Sequence, residues 1–326
     1  MMADVGRRIT NVSIPASTRY CCHGRSIDRK QKKIEGIDKN RSLYYTCGQV
    51  YLTHWGLKEA PFENAADGKF FYASGEHAEA LSRLTYAAKQ RKPLALFSGE
   101  YGTGKTMVCR ALVGGLPGEQ FKVIHVPNPL LSVVEIFGEI LRPTLETVSI
   151  PSGKGELLRL LREVFIRNLN LGKHNLVIVD EAHLIEDISF FDELRMLLNY
   201  QHKQQLLLTL IFVGQSDLRD KISRLPALRQ RISIQSHLSP MSQEDIGIYI
   251  QHRLKVAGCA AAARVFDPET FSTIFAHSKG IPRIINNICD LALLSGFQAK
   301  IGSIGGETLS DVLKEVPSHE EAQSSF

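Results

Sequence analysis

From residue 93 to about 240 the chain alternates short, uninterrupted apolar runs with longer stretches of helical spacing. The runs are PLALFS at 93–98, FKVIHV at 121–126, NLVIV at 175–179, LLLTLIFV at 206–213 and, more weakly, ISIQSH at 232–237. A strand that is apolar on both faces belongs inside a parallel sheet covered by helices on either side. The stretches 105–114, 132–146, 155–170 and 189–200 carry the helical pattern that such a cover needs. A further helix is predicted at 74–90, with Ser74 as N-cap and Ala78, Leu81, Leu84 and Tyr86 as its apolar positions. After Pro240 the strand signal stops and helices follow at 242–257, 267–277, 281–298 and 307–315. The second of these opens with DPETF, which offers Asp267 as N-cap and Pro268 at the first helical position. The pattern therefore predicts a three-layer α/β/α core with a parallel sheet over 50–240, a small α-helical domain over 241–316 and a flexible tail at 317–326.

Residues 1–49 lack either periodicity and are polar, so they read as a disordered leader, or as translation upstream of a true start at Val50. The leader changes how the net charge of +5 is understood. It holds 10 of the 39 basic but only 4 of the 34 acidic residues, leaving 29 against 30 in the rest. The body is thus near neutral and gives no global sign of a nucleic-acid surface, although a local patch such as KQRK at 89–92 would be invisible to net charge. The six cysteines show no C-x-x-C pairing, which argues against a zinc site or a disulfide framework and for a reducing cytoplasm. No apolar run approaches the ~20 residues of a membrane-spanning helix.

The chemistry concentrates in GEYGTGKT at 99–106, which matches G-x-x-x-x-G-K-[ST] and directly follows an apolar strand. The backbone N–H groups of Gly99, Glu100, Tyr101, Gly102, Thr103 and Gly104 can form a nest for phosphate oxygens, closed by the first helical residues to Met107. Lys105 would neutralise the β- and γ-phosphates of ATP, and Thr106 would hold Mg²⁺. The alternative is a bare strand-to-helix corner, which leaves a lysine at that position without a role. VIVDEAH ends a second apolar strand about 75 residues on. Asp180 there would orient Mg²⁺ and Glu181 would polarise the attacking water. DEAH also spells a helicase box, but a helicase needs a second nucleotide domain, and the residues after 240 are mostly helical.

Three further positions carry open alternatives. Gln215, at the end of the fourth run, would sense the γ-phosphate if its strand lies between those of the loop and the acids; otherwise GQSDL is only a helix cap. Arg224, Arg229 and Arg231 lie in RLPALRQRIS, where Arg229 or Arg231 would reach a neighbouring subunit's γ-phosphate or would belong to a solvated basic face. Arg283, after the GIP turn, would report nucleotide state to the helical domain or pair with a residue such as Asp290. Trp55 and Phe62 fit either a base-binding site or plain core.

Taken together, YLTHWGLKEAPF, GEYGTGKT, VIVDEAH, FVGQSDLR, LPALRQRI and GIPRIINNICDLALL resemble the AAA+ ATPases of the ExeA/GspA general secretion pathway type, over about residues 51–300. The resemblance implies an AAA+ core with a helical lid, Walker A roles for Lys105 and Thr106 and Walker B roles for Asp180 and Glu181. It also implies sensor roles for Gln215 and Arg283 and a finger role for Arg229 or Arg231. ENAADGKFF departs from the Asp-Pro turn expected there, and the chain stops before the membrane and peptidoglycan-binding regions of the larger proteins, so it reads as a free-standing form. Three functions compete. The first is an oligomeric Mg-ATP-driven motor or switch in assembly of a bacterial envelope machine, cytoplasmic and brought to the inner membrane by a protein partner. The second is an ATP-dependent DNA-binding regulator of transposition, and the third a nucleotide-gated binding module with little turnover.

Overall fold

Five strands assemble because each can be buried on both faces: β1 (Leu94–Gly99), β3 (His174–Val179) and β6 (Leu208–Gly214) are buried at every position, whereas β2 (Phe121–Val126) and β7 (Ile232–Leu238) are partly open. The order is β2-β3-β6-β1-β7, with the two partly open strands at the edges. All pairings are parallel, so every strand's carboxyl end lies on one edge of the sheet. The computed structural model describes residues 51–127, 129–144 and 150–319. The expected leader at 1–49, most of the expected tail and the end of the helix predicted at 132–146 lie outside the described residues.

Alternate residues of the strands serve opposite layers. Leu96, Val177 and Phe212 face a core built with α3 (Val133–Leu141), α4 (Lys154–Asn170) and α5 (Ile188–Leu197). Phe97, Ile178 and Val213 face α1 (Gly75–Lys89) and α2 (Lys105–Gly115). The architecture is the three-layer α/β/α arrangement read from the sequence. Short helices α6 (Asp217–Ser223) and α7 (Pro226–Arg229) link β6 to β7. A helical region follows: α8 (Gln243–Val256), α9 (Ala262–Val265), α10 (Thr270–Ser278), α11 (Pro282–Ala299) and α12 (Gly306–Val312).

Several local expectations are corrected. α1 starts at the Ser74 N-cap as read, but its buried face is His77, Ala80, Leu84, Ala87 and Ala88, while Ala78 and Tyr86 face outward. The small alanines let the helix approach β7 and α2 closely, and the buried polar residue, His77, hid the true stripe. α3 ends at Leu141, because Pro143 cannot continue the hydrogen-bond ladder. Asp267 does not cap α10, which begins only at Thr270; its N–H instead donates to Ile304 O, tying the turn to the loop before α12. The fourth apolar run starts its sheet strand at Leu208, and the preceding residues form a small hairpin of β4 (Gln201–His202) and β5 (Gln205–Leu206). Its two linking residues, Lys203 and Gln204, both have positive φ. Such a turn is most readily signalled by Asn-Gly, absent here, which is why it escaped notice.

Residues 51–72, counted with the α/β part on sequence alone, supply core to the helical region. Trp55, Phe62 and Phe70 are buried with Ile250, Phe266 and Leu293, and Trp55 Nε1 donates to Leu293 O at 2.9 Å. Trp55 and Phe62 are therefore core aromatics. Each such side chain contributes roughly 1.5–3 kcal/mol by burial, enough to fix this segment across the helices. Arg253 completes the seam. Its guanidinium donates to Pro61 O, Glu63 O and the Tyr249 hydroxyl, and it lies 4.9 Å from the centre of the Phe70 ring. The ADGKFF corner is a single 3-10 turn, Gly68–Phe70, capped by the Asp67 carboxylate.

The sheet also carries an acid-sensitive group. His174 opens β3 fully buried, with Nε2 2.9 Å from Thr209 Oγ1 and no partner for Nδ1. Burial first, and the charge of Arg91 second, lower its pKa from 6.5 to about 4. The unfolded chain therefore takes up this proton first, so the stabilisation is complete above about pH 6.5 and is lost as pH falls towards 4. At about 1.4 kcal/mol per pH unit, the loss across that window is roughly 3 kcal/mol. Urea unfolding at pH 7.5 and 5 should show the wild type losing more stability than His174→Gln; equal losses would remove His174 as the cause.

Candidate functional site

The loop between β1 and α2 turns on Gly104, whose φ of +102° forms the N-cap of α2 without any side-chain hydrogen bond. The start of α2 thus carries no side-chain cap, the geometry in which a helix N-terminus can meet an anion. The loop is braced from below. Thr103 Oγ1 donates to Glu100 O at 2.8 Å, and His77 Nε2 lies 3.1 Å from Thr103 O, while its Nδ1 meets Ser74 Oγ at 2.7 Å. Burial lowers the pKa of His77, partly offset by the Thr103 contact, so the ring is neutral and donates to that carbonyl. Sequence reasoning missed His77; its only trace there was a histidine on an otherwise small-residue helix face.

Lys105 is buried, and its Nζ donates to Gly99 O at 3.0 Å and Glu100 O at 2.9 Å. Burial lowers its pKa, opposed by the charges of Glu181 and Asp180. Thr106 Oγ1 donates to Asp180 Oδ2 at 3.1 Å, joining the helix after β1 to the end of β3 across the intervening β6. Burial works to raise the Asp180 pKa, but His125 on β2, 3.6 Å away, with the Glu181 N–H and the Thr106 hydroxyl, outweighs it and holds the carboxyl below its ordinary range. Glu181 follows in the left-handed conformation, φ +51°, which directs its side chain towards the cavity above Lys105. A non-glycine residue held there by its surroundings is a mark of a functional corner.

The cavity, about 240 Å³, runs from Lys105, Thr106 and Glu181 towards Tyr72, Tyr249 and Arg283. Tyr101, Gly102, Gly104 and Met107 also line it, whereas Gly99, Glu100 and Thr103 do not. Arg283, second residue of α11, donates from Nη1 to the Tyr101 hydroxyl and lies 4.8 Å from that ring's centre; its N–H donates to Gly102 O at 3.3 Å. The structure thus brings the helical region onto the glycine loop through Arg283. It does not pair Arg283 with Asp290, whose carboxylate accepts from the Tyr51 hydroxyl.

Gln215 follows β6, and β6 does lie between β1 and β3. Its amide contacts His183 Nε2 at 2.9 Å. Arg229 and Arg231 stand apart: neither lines the cavity, Arg229 is exposed, and Arg231 Nη2 donates to Asn199 Oδ1 at 2.7 Å. Besides His77, reasoning from the sequence overlooked His125 and His183 as neighbours of the acids. Strand alternation could have aimed His125, but only strand order reveals what it faces.

The AAA domain family matches residues 88–222. General secretion pathway protein A of Aeromonas hydrophila is 36% identical over 252 residues, covering 76% of this chain and 45% of that protein. The chain therefore spans a little under half the length of this relative. Among solved structures, the Aeropyrum pernix ORC2 protein in its ADPNP–ADP complexes superposes with a TM-score of 0.62 at 16% identity, over 80% of this chain and 72% of that one. Cdc6p from Pyrobaculum aerophilum gives 0.61 at 19%, over 82% and 73%. This chain has the AAA+ P-loop NTPase fold, with an AAA domain.

Two glycines separate fit from freedom. A Cβ on Gly99 would stand 2.7 Å from Leu238 O, a backbone atom of β7, whereas one on Gly114, inside α2, would meet nothing. Gly99→Ala should therefore lower stability by about 1–3 kcal/mol. Gly114→Ala should raise it by up to about 1 kcal/mol. Thermal unfolding of both variants checks this; a neutral Gly99→Ala would mean that β1 and β7 separate more easily than their contacts imply.

Proposed function

We propose that this AAA+ chain binds Mg-ATP in the cavity at the glycine loop and hydrolyses it as an oligomer, in the assembly of a secretion-type envelope machine. The observation that carries the reading is the 3.1 Å bond from Thr106 to Asp180. It puts a hydroxyl from the helix after β1 and a carboxylate from the end of β3 at one point beside Lys105. Among the described residues no cluster of three or more His, Cys, Asp or Glu could hold a metal. One carboxylate and one hydroxyl suit Mg²⁺, which keeps waters and shares substrate phosphate oxygens. Bound Mg²⁺ would supply charge neutralisation on those oxygens.

Each side chain then has a task. Lys105, poised on two loop carbonyls, would turn its ammonium to the phosphates; Asp180 and Thr106 would hold the cation; Glu181 would orient and deprotonate the attacking water. Gln215 would read the γ-phosphate from the neighbouring strand. Arg283 would exchange the Tyr101 hydroxyl for phosphate oxygen, so that the helical region feels the nucleotide through a contact whose strength differs between ATP and ADP. Arg229 and Arg231 do not line their own cavity, and this supports a role towards the cavity of a neighbouring copy. The secretion assignment rests on the identity to general secretion pathway protein A. No helix among the described residues is long and apolar enough to cross a membrane; in this reading a protein partner brings the chain to the inner membrane.

Calorimetry of Lys105→Ala should show Mg-ATP affinity weakened at least about 100-fold, near 2.7 kcal/mol. Glu181→Gln should bind like the wild type and lose turnover by at least about 100-fold. Unchanged affinity in Lys105→Ala would overturn the site. Specific ATPase activity should also rise with protein concentration and stop doing so in Arg229→Ala or Arg231→Ala, with ATP binding intact. Constant specific activity over the whole range would remove the contribution from a second copy.

A further inference from the structure

We propose that His183 is a positioning residue that ties the carboxylate of Glu181 to the amide of Gln215 across the ends of β3 and β6. The inference rests on the reading that Glu181 serves ATP hydrolysis. His183 lies in the one-turn 3-10 helix Ala182–Leu184, immediately after the acids. Its ring is carried over the end of β6 by close backbone packing: a Cβ on Gly214 would stand 3.1 Å from His183 N and 3.3 Å from its Cβ. Lys221 fixes the turn from the other side by donating to His183 O and Ile185 O. Only 8% of the His183 side chain is exposed.

Hydrogen-bond polarity sets the ring's proton. The Gln215 amide nitrogen, 2.9 Å away, can only donate, so His183 Nε2 accepts and the single proton of the neutral ring sits on Nδ1. Nδ1 has no hydrogen-bond partner, and the group facing it is Glu181 Oε2 at 3.4 Å. With the amide reversed, the proton would move to Nε2 and a bare nitrogen lone pair would confront the carboxylate. The observed orientation is the one that suits all three groups. Burial lowers the pKa of His183, against the opposing charge of Glu181, so the neutral ring is the relevant form.

The bridge has a mechanical consequence. The amide nitrogen carries two hydrogens, so Gln215 can offer one to a phosphate oxygen while the other stays on Nε2 and keeps the Nδ1–H directed at Glu181. Phosphate sensing and placement of the water-activating carboxylate are then coupled through one imidazole. The histidine is not itself a proton acceptor in the reaction, since it reaches the water only through Glu181.

Two measurements on the full chain decide this. Nitrogen-15 imidazole NMR should show His183 as the Nδ1–H tautomer, shifting towards Nε2–H in Gln215→Ala. In steady-state assays His183→Ala should lose about tenfold or more in kcat while KM for ATP stays within about threefold. His183→Asn, which restores a donor near the Nδ1 position, should regain much of that loss. The double variant His183→Ala/Glu181→Gln should be no slower than Glu181→Gln. An Nε2–H tautomer in the wild type, a tautomer indifferent to Gln215→Ala, or parallel losses of affinity and kcat would overturn the proposal. Should the wild type bind Mg-ATP without turning it over, the hydrolysis reading fails by itself, and the tautomer of wild type and Gln215→Ala still decides the bridge.

Discussion

The insertion of β6 between β1 and β3 is the constraint on which the remaining geometry depends. Parallel pairing sends all three strands the same way, so the glycine loop, Gln215 and the Asp180–Glu181 pair emerge side by side at one edge. Had β1 and β3 been neighbours, the acids would crowd the loop and leave no place for a polar residue between them. With β6 between, Thr106 must reach from its helix to Asp180, and the 3.1 Å bond shows that it does. The burial of β1, β3 and β6 at every position keeps all three inside the sheet, since none of them could occupy an edge without exposing an apolar face to water.

What was legible in the sequence follows from how locally each feature is encoded. The glycine loop is eight consecutive residues after an apolar strand, and its own glycines signal the turn that His77 and Arg283 then brace from elsewhere in the chain. The three central strands were equally plain, because an unbroken apolar run has few alternatives between turns. Features set by distant partners were not. His183 is separated from Gln215 by 32 residues, and their contact exists only through the register of β3 against β6. The outward turn of Tyr86, the diversion of Asp267 to Ile304 and the membership of Trp55 in the helical core share that origin. In each case a side chain that fits a local rule answers to a neighbour far away in the chain.

The helical region meets the loop through Ile281 and Arg283 at the start of α11. Arg283 and Ile281 approach Gly102 so closely that a Cβ there would lie 3.0 Å from a carbon of each. Arg283 also shares its guanidinium with Tyr101, a side chain 47% exposed on the loop itself. The region is held to residues 51–72 quite differently, by buried Trp55, Phe62, Phe70 and the three donations of Arg253. One attachment is apolar and extensive, the other includes the exchangeable Arg283–Tyr101 contact.

That asymmetry bears on how a nucleotide could move the region. An apolar seam offers little differential affinity between ATP and ADP, since neither phosphate count nor charge touches it. The Arg283–Tyr101 contact sits where charge would arrive, and a guanidinium exchanges a neutral hydroxyl for a phosphate oxygen with a large gain from charge-assisted hydrogen bonding. A ligand shifts a conformational equilibrium only by as much as its contacts differ between the two states. The residues able to supply such a difference are Arg283 on the helical side and Gln215 with His183 on the sheet side. In the proposed reading, motion of the helical region would pivot about the Trp55–Arg253 seam and be driven at the loop, where the Arg283–Tyr101 contact lies.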